Sequence, residues 1–393
     1  MEDDRGVVVY NSDDDESKIV TKFLLDTCLL QQTNKHHVIA AERCSWLMSD
    51  ALTRRTETGD LLHVTPLITG SSAEFYIQPM LSFIGDIDIM IHHSSVLAIP
   101  EGYPPPTDLP AEFGSHVNVY NIIDSEYPGY VYLMESYLLT EDIYAGKHNA
   151  THTIKLDYYI KSPVQLQHGE FHGPALSVPI LQTDSELTVD YVKCVRCMSW
   201  PSQAADWPTR HRNYDWPDSA TVDHVVNDGC DVVQVAHPQC RQYELMNKSQ
   251  WRLSFSRAEI VLLNSWMPVQ QIVYHMLRVF AKTEHLTDIT HSIKTNIISN
   301  YHLKTLIMWA CEMKSQSWWI NDINVVSTCV KLLHILGDWL EHQNYPHYFI
   351  DNCNLVYNTE HVNIISQLVS ITESRLSSWF IKKLFTQMCT ALS

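Results

Sequence analysis

The sequence predicts a two-lobed α+β protein, and two changes of pattern carry that reading. Between about Leu61 and Val195, short apolar runs rich in β-branched and aromatic residues are broken by Gly and Pro, which is the signature of strands. Past Trp251 the apolar residues recur with helical spacing almost throughout. Strands first and helices later indicate segregated layers rather than alternating βαβ units. The composition can fill such a fold: 45% of the 393 residues are hydrophobic and 18% charged, below the roughly 25% charged of ordinary soluble domains. Disorder as the main state is excluded. The length favours two or three domains, and the pattern places them at 1–213 and 214–393.

The first element is a helix. Ser12 precedes Asp13, Asp14, Asp15 and Glu16, so carboxylates sit where the helix dipole is positive. Ile19, Val20, Phe23, Leu24 and Thr27 supply the expected buried face, with Lys18 and Lys22 on the polar side. A second helix is expected from about Val38 to Leu52. Strands are expected at Ile84–Ile91, Val117–Ile122, Tyr130–Leu133, Thr153–Ile160 and Leu187–Val195, with a Pro-rich loop over Pro100–Pro110. A polar, acidic connection spans Asp215 to Asp231. Then Val269, Ile272, Val273, Met276, Leu277 and Phe280 mark a helix starting near Pro268. Asn300 is the expected N-cap of a helix through Cys311, and Val325–Leu340 forms another.

Charge and cysteine content limit the function classes. The net charge is −18, which argues against a nucleic-acid partner until it is divided. Residues 1–250 hold 35 acidic and 16 basic side chains (−19), whereas residues 251–393 hold 10 and 11 (+1). The longest uninterrupted apolar run is Leu306–Cys311, far short of the about 18 residues that span a bilayer. The start, Met1-Glu2-Asp3-Asp4, lacks a basic or apolar leader. With ten cysteines and no such leader, reduced thiols in a cytosolic or nuclear compartment are expected, with the cytoplasm preferred.

The chemistry concentrates in Gly85-Asp86-Ile87-Asp88-Ile89. In a strand, i and i+2 share a face, so Asp86 and Asp88 point one way while Ile87 and Ile89 enter the core. Two adjacent carboxylates repel unless a cation lies between them, and Mg²⁺ accepts an all-oxygen site while leaving positions for phosphates. Upstream, Thr69-Gly70-Ser71-Ser72 closes the apolar stretch Val64–Ile68. A Gly turn with exposed N–H groups and hydroxyls holds phosphates. A third carboxylate completes a two-metal clamp. Asp190, mid-strand in Leu187–Val192, is preferred, with Asp157 as its rival.

Gly-Ser followed by Gly-Asp-x-Asp on a strand resembles the nucleotidyltransferase superfamily related to DNA polymerase β. Further along, Trp251–Ser256 (WRLSFS), Asn300–Thr305 (NYHLKT), Trp200-Pro201 and Pro346–Ile350 (PHYFI) resemble motifs of the animal cyclic GMP–AMP synthase-like receptors. These receptors share one nucleotidyltransferase family with the male-abnormal developmental proteins. The resemblance begins near residue 15 and covers nearly the whole chain. It implies a bilobal polymerase-β-like core with a mixed sheet, a helical C-terminal lobe, and a cleft between them. By the same resemblance, Asp86, Asp88 and Asp190 form the catalytic, metal-binding triad for Mg²⁺ or Mn²⁺. Gly70 and Ser71 match the phosphate turn, and Thr69 and Arg252 match positions near the bases. Ser254 and Ser256 share that motif. Asn300 replaces a Ser, Tyr301 matches a base-stacking Tyr, Lys304 matches a phosphate-contacting Lys, and Arg278 replaces another.

The match departs at one place. Cyclic GMP–AMP synthase carries a zinc-binding insertion that aids double-stranded DNA binding, but residues 252–301 here contain no cysteine. His275, His285 and His291 lack thiol partners there, so no zinc is expected. Cys194 and Cys197 face opposite sides of their strand, a poor start for a tetrahedral site. The implied activator is therefore double-stranded RNA rather than DNA, held by phosphate contacts from Lys18, Lys22, Lys35, Arg43, Arg54, Arg55, Arg210 and Arg212. The implied product is a cyclic dinucleotide read by a STING-type receptor in innate immunity. A catalytically silent binding or developmental protein is the alternative, although such members often lose the Gly-Ser turn or a carboxylate, and this sequence keeps both.

Overall fold

Wherever β-branched residues alternate with polar ones, the chain pairs into one large sheet. The computed structural model describes residues 12–27, 29–31, 54–55, 61–62, 64–73, 76–78, 87–142, 144–153, 170–172, 175–179, 188–241, 243, 248–284, 298–320, 323–356 and 362–391. The sheet's strands are β1 (Val64–Thr69), β2 (Ile87–Pro100), β3 (His116–Asp124), β4 (Tyr130–Asp142), β5 (Lys147–His152), β6 (Glu170–His172), β7 (Ala175–Pro179), β8 (Thr188–Cys197), β9 (Cys230–Val233) and β10 (Gln250–Ser254). Their spatial order is β6-β7-β8-β9-β10-β4-β3-β2-β1, with β5 beside β4. β2 also pairs with β8, so the ladder β2-β3-β4-β10-β9-β8 returns to β2. Only β2–β3 and β2–β8 are parallel among the described pairs, which makes the sheet mixed.

β2 is the axis of this arrangement. Ile87 and Ile89 are fully buried on one face, as alternation requires, while Asp88 and Met90 occupy the other. The strands expected near 117, 130 and 187 form and run longer than their apolar runs. Of the stretch expected at Thr153–Ile160, residues 154–160 lie outside the described residues; the strand preceding it is β5. β9 and β10 also follow residue 213 yet belong to the sheet, so the sheet's last strand ends at Ser254.

The helices are α1 (Ser12–Thr27), a short turn α2 (Gly70–Ala73), α3 (Ser219–Asp228), α4 (Ser256–Asn264), α5 (Pro268–Thr283), α6 (Asn300–Met313), α7 (Gln316–Ile320), α8 (Val325–Glu341), α9 (Val362–Val369) and α10 (Glu373–Ala391). All six apolar positions predicted for α5 are buried. α3 occupies what reads as an acidic connection; Asp218 caps it by accepting from Thr221 N at 2.7 Å. Its buried side consists of Val222 and Val225 alone, too few to show a period. The N-cap of α6 is Ser299, not Asn300. Ser299 N donates to His302 Nδ1 at 2.9 Å, and the Ser299 hydroxyl lies 3.4 Å from His302 N. The helix expected at Val38–Leu52 lies outside the described residues.

Burial on α1 departs from its apolar stripe. Val20 and Leu24 are buried, but so are Ser17 and Thr21, whereas Ile19 is 65% exposed. The reason is a polar dock onto α8. Asn324 Nδ2 donates to Ser17 Oγ at 3.0 Å, and Val325 N donates to Thr21 Oγ1 at 3.0 Å. Satisfying the α8 N-terminus with these hydroxyls fixes the rotation of α1 and leaves Ile19 outside.

The lobes meet at Glu312 of α6. Arg210 Nη2 donates to its Oε2 at 2.7 Å and Tyr348 Oη at 2.8 Å, while Arg212 Nε lies 3.5 Å away. Arg210 also donates to Tyr348 O and lies 4.4 Å from the Trp309 ring centroid. Arg210 and Arg212, expected to contact duplex phosphates, are thus engaged in the junction. Lys18 and Lys22 stand exposed on α1, and Lys35 and Arg43 lie outside the described residues.

His275 of α5 is 1% exposed, and neither ring nitrogen has a hydrogen-bond partner among the described residues. Burial, then Arg278, lowers its pKa from 6.5 to about 3. Because the folded value is depressed, the neutral ring's contribution is complete above 6.5 and fades as pH falls toward 3. Replacing His275 with Leu is expected to raise unfolding stability in urea at pH 5 by about 1–2 kcal/mol and to flatten the acid limb between pH 6.5 and 4. Unchanged pH dependence in the variant would contradict this assignment.

Candidate functional site

The register of four strands assembles one polar row. Thr69 of β1 pairs with Asp88 of β2, Asp88 with Asp190 of β8, and Asp190 with Ser177 of β7. Asp88 and Asp190 share a face because their strands are parallel and in register; two residues on, Met90 and Val192 are again partners, and both line a cavity of about 410 Å³. Ser177 Oγ donates to Asp190 Oδ1 in a short hydrogen bond, which leaves the second carboxylate oxygen of Asp190 for another partner.

Gly70 presses on this row. Its φ of +58° is left-handed, and a Cβ there would lie 2.0 Å from Asp88 Oδ2. Only glycine allows both the turn and the approach. Thr69 Oγ1 reaches Asp88 O at 3.5 Å. Two carboxylates on neighbouring strands, one of them against a glycine turn, form a hard-oxygen donor set that suits a divalent cation such as Mg²⁺. Asp86, the third expected ligand, lies outside the described residues, as does Asp157. Among the described residues no group of three His, Cys, Asp or Glu side chains is clustered to hold a metal. Ser71 lies in the α2 turn.

The cavity runs from this row to the helical lobe. Thr69, Gly70 and Asp88 line one side; Arg252, Ser254, Ser256 and Glu259 another; Ser299, Tyr301, His302, Lys304 and His347 the third. β10 delivers Arg252 and Ser254 by alternation, and the start of α4 adds Ser256 and Glu259 one turn apart. Ser254 and Ser256 hydroxyls are 3.1 Å apart. Lys304 Nζ forms a buried ion pair with Glu259 Oε2 at 2.8 Å. Tyr301 Oη is 2.8 Å from His347 Nε2. Burial, with Glu259 close by, pushes the Tyr301 phenol well above its ordinary range.

Two expected contacts fall elsewhere. Asn300 is exposed and absent from the cavity lining, because Ser299 takes the cap and Asn300 begins the helix one position round. Arg278 is 3% exposed on α5, its guanidinium 5.3 Å from the Tyr274 ring, and it does not line the cavity. Asp190 joins the site through the row rather than the cavity wall. Cys194 lies 4.0 Å from Asp231 Oδ1, and Cys197 sits directly opposite Cys230. Sequence reading gave no role to Glu259, Ser177 or His347. Glu259 was findable at three residues past Ser256; Ser177 was not, since only the register reveals it.

Breaking the Lys304–Glu259 pair leaves one charge buried. Lys304→Met is therefore expected to cost about 3–5 kcal/mol of unfolding stability, and Lys304→Met/Glu259→Leu to recover most of it, measured by urea denaturation. Additive losses in the double variant would show that the two side chains do not depend on one another.

Comparison with known proteins adds to this geometry. Residues 141–265 match the model of the Mab-21 protein nucleotidyltransferase domain, and residues 269–374 that of the Mab-21 protein HhH/H2TH-like domain. The two matches meet at the turn between α4 and α5. Protein male abnormal 21 of Caenorhabditis elegans is 25% identical over 194 residues, covering 46% of this chain and 50% of the relative. The Caenorhabditis briggsae protein of that name is 24% identical over 184 residues (45% and 47%), and the Drosophila melanogaster protein mab-21-like is 25% identical over 175 (43% and 45%). The chain spans about half the length of the curated relatives it matches. With a mixed sheet, a following helical domain and both family models in succession, the chain belongs to the Mab-21 family of nucleotidyltransferase-fold proteins.

Proposed function

We propose that this protein is a metal-dependent nucleotidyltransferase that joins two nucleoside triphosphates into a cyclic dinucleotide. One observation carries the reading: Thr69, Gly70, Asp88, Arg252, Ser254, Ser256, Tyr301 and Lys304 come from four separate segments and line one cavity. Its size falls in the range of about 300–1,000 Å³ typical of small-molecule sites.

Asp86, Asp88 and Asp190 would hold Mg²⁺ or Mn²⁺. That cation supplies activation of a ribose hydroxyl and neutralisation of the departing pyrophosphate. The chain's own residues do the rest. The Gly70 turn lies against Asp88, so its backbone would position the triphosphate beside that acid. Ser177 holds one oxygen of Asp190 and so sets which oxygen faces the substrate. Arg252 is exposed on the cavity wall and supplies positive charge near the bases, while Tyr301 offers a ring face. Lys304 carries three donors, so a phosphate would share its ammonium with Glu259.

Double-stranded RNA is the proposed activator, with double-stranded DNA second, and a STING-type receptor the proposed reader of the product. Lys18 and Lys22, exposed four residues apart on α1, support a duplex contact there. With so few cations, binding is expected to weaken steeply with salt. Placement in the cytoplasm belongs to the same reading; no described helix is long and apolar enough to cross a membrane. The Lys304–Glu259 pair favours one rival, a silent member whose cleft binds a nucleotide without turning it over.

Labelled ATP, GTP, CTP and UTP incubated with the protein, Mg²⁺ or Mn²⁺, and each duplex separate these readings. A phosphatase-resistant product is expected, falling below about one hundredth with Asp88→Asn or Asp190→Asn. Nucleotide binding without product under every condition would replace the enzyme with the silent protein.

A further inference from the structure

His347 sits in a tight loop whose ends are tied together. His347 N donates to Cys353 O at 2.8 Å, Leu355 N to Tyr345 O at 2.8 Å, and Tyr345 N to Asn354 Oδ1 at 3.0 Å. The imidazole packs edge-on to Phe255, with ring centroids 5.6 Å apart. Its own hydrogen bonds determine where its proton lies. Nδ1 accepts from two backbone donors, Phe349 N at 3.0 Å and Ile350 N at 3.1 Å. A nitrogen whose lone pair accepts carries no hydrogen, so the proton of the neutral ring is on Nε2. Burial, then Arg252, lowers the His347 pKa to about 3, which keeps the ring neutral at physiological pH.

The consequence falls on Tyr301. Its hydroxyl lies 2.8 Å from His347 Nε2 and must accept that N–H. The phenolic proton then has to point elsewhere, and among the described residues it meets no acceptor. Glu259, Arg252, Cys353 and Lys304, which act on this hydroxyl electrostatically, line the cavity. We propose that His347 is a positioning residue that makes the Tyr301 hydroxyl an obligate hydrogen-bond donor, so that the cleft selects nucleotides presenting an acceptor atom at that point. Without His347, the hydroxyl would rotate freely and accept or donate as the ligand dictated. With it, a ligand N–H placed there would leave two donors facing each other, a mismatch that a buried site rejects. This rests on the nucleotide reading of the cleft, whereas the direction of the His347–Tyr301 bond does not.

Two measurements separate these layers. Nitrogen-15 spectra of histidine-labelled protein, with His347 assigned by its loss in His347→Gln, are expected to show the Nε2–H tautomer unchanged from pH 5 to 8. Calorimetric binding of α,β-methylene ATP and α,β-methylene GTP is expected to weaken roughly 5- to 10-fold for the preferred nucleotide in Tyr301→Phe. His347→Ala, whose Tyr301 hydroxyl can accept as well as donate, should narrow the preference between the two nucleotides by roughly 5- to 10-fold, and the double variant should match Tyr301→Phe. His347→Gln should stay within about twofold of the parent, since its amide can accept from the loop and donate to Tyr301. An Nδ1–H tautomer, an unchanged nucleotide preference in a folded His347→Ala, or a double variant weaker than Tyr301→Phe would overturn the proposal. If neither nucleotide binds the parent protein, the nucleotide reading fails, and the spectra still decide the direction of the bond.

Discussion

The parallel pairing of β2 with β8 is the constraint on which the candidate site depends. It aligns Asp88 with Asp190 and places both carboxylates on one face of a sheet whose other face is packed with Ile87 and Ile89. A slip of one residue between the two strands would turn one acid to the opposite face and break the row. The slip is prevented from three sides: β1 pairs with the outer edge of β2, β3 takes over its second half, and β7 holds β8. The pairings that pass through β9, β10 and β4 close the circuit and deliver Arg252 and Ser254 to the same cavity. Sheet topology and candidate site are therefore one arrangement.

Electrostatics explain how so acidic a chain tolerates this. The first 250 residues carry −19, yet much of the buried charge is paired locally. Arg257 donates to the fully buried Asp231 at 2.9 Å, Arg196 bridges Asp228 and the carbonyls of Cys197 and Cys230, and Arg210 and Arg212 meet Glu312. Arginine suits these sites because its fork satisfies several acceptors at once. Asp88 and Asp190 are brought together by strand register instead, as direct partners across β2 and β8.

Sequence pattern revealed the layers well. The β-branched runs gave the strands of the sheet's centre, and the 3.6-residue stripe of α5 named six positions that are all buried. The glycine turn against Asp88 was legible because a tight turn needs an unusual residue type, whereas Asp86 lies outside the described residues. What stayed hidden depends on partners far along the chain. Ile19 lies outside because Ser17 and Thr21 dock on Asn324, some three hundred residues away, and no local period encodes that. Arg210 and Arg212 look like exposed cations until Glu312 is brought to them. Arg278 is a phosphate contact by family resemblance alone, but helix α5 carries it inside. Asn300 was misplaced by a single residue because Ser and Asn cap equally well, and only the bond from His302 distinguishes them.

Crystals grown with Mn²⁺ and a non-hydrolysable triphosphate test the nucleotide cleft most directly. Anomalous difference density is predicted between Asp88 and Asp190, with the triphosphate along the Gly70 turn and the base against Tyr301. Nucleotide bound away from this cavity, or Mn²⁺ that never touches the Asp88–Asp190 row, would contradict it.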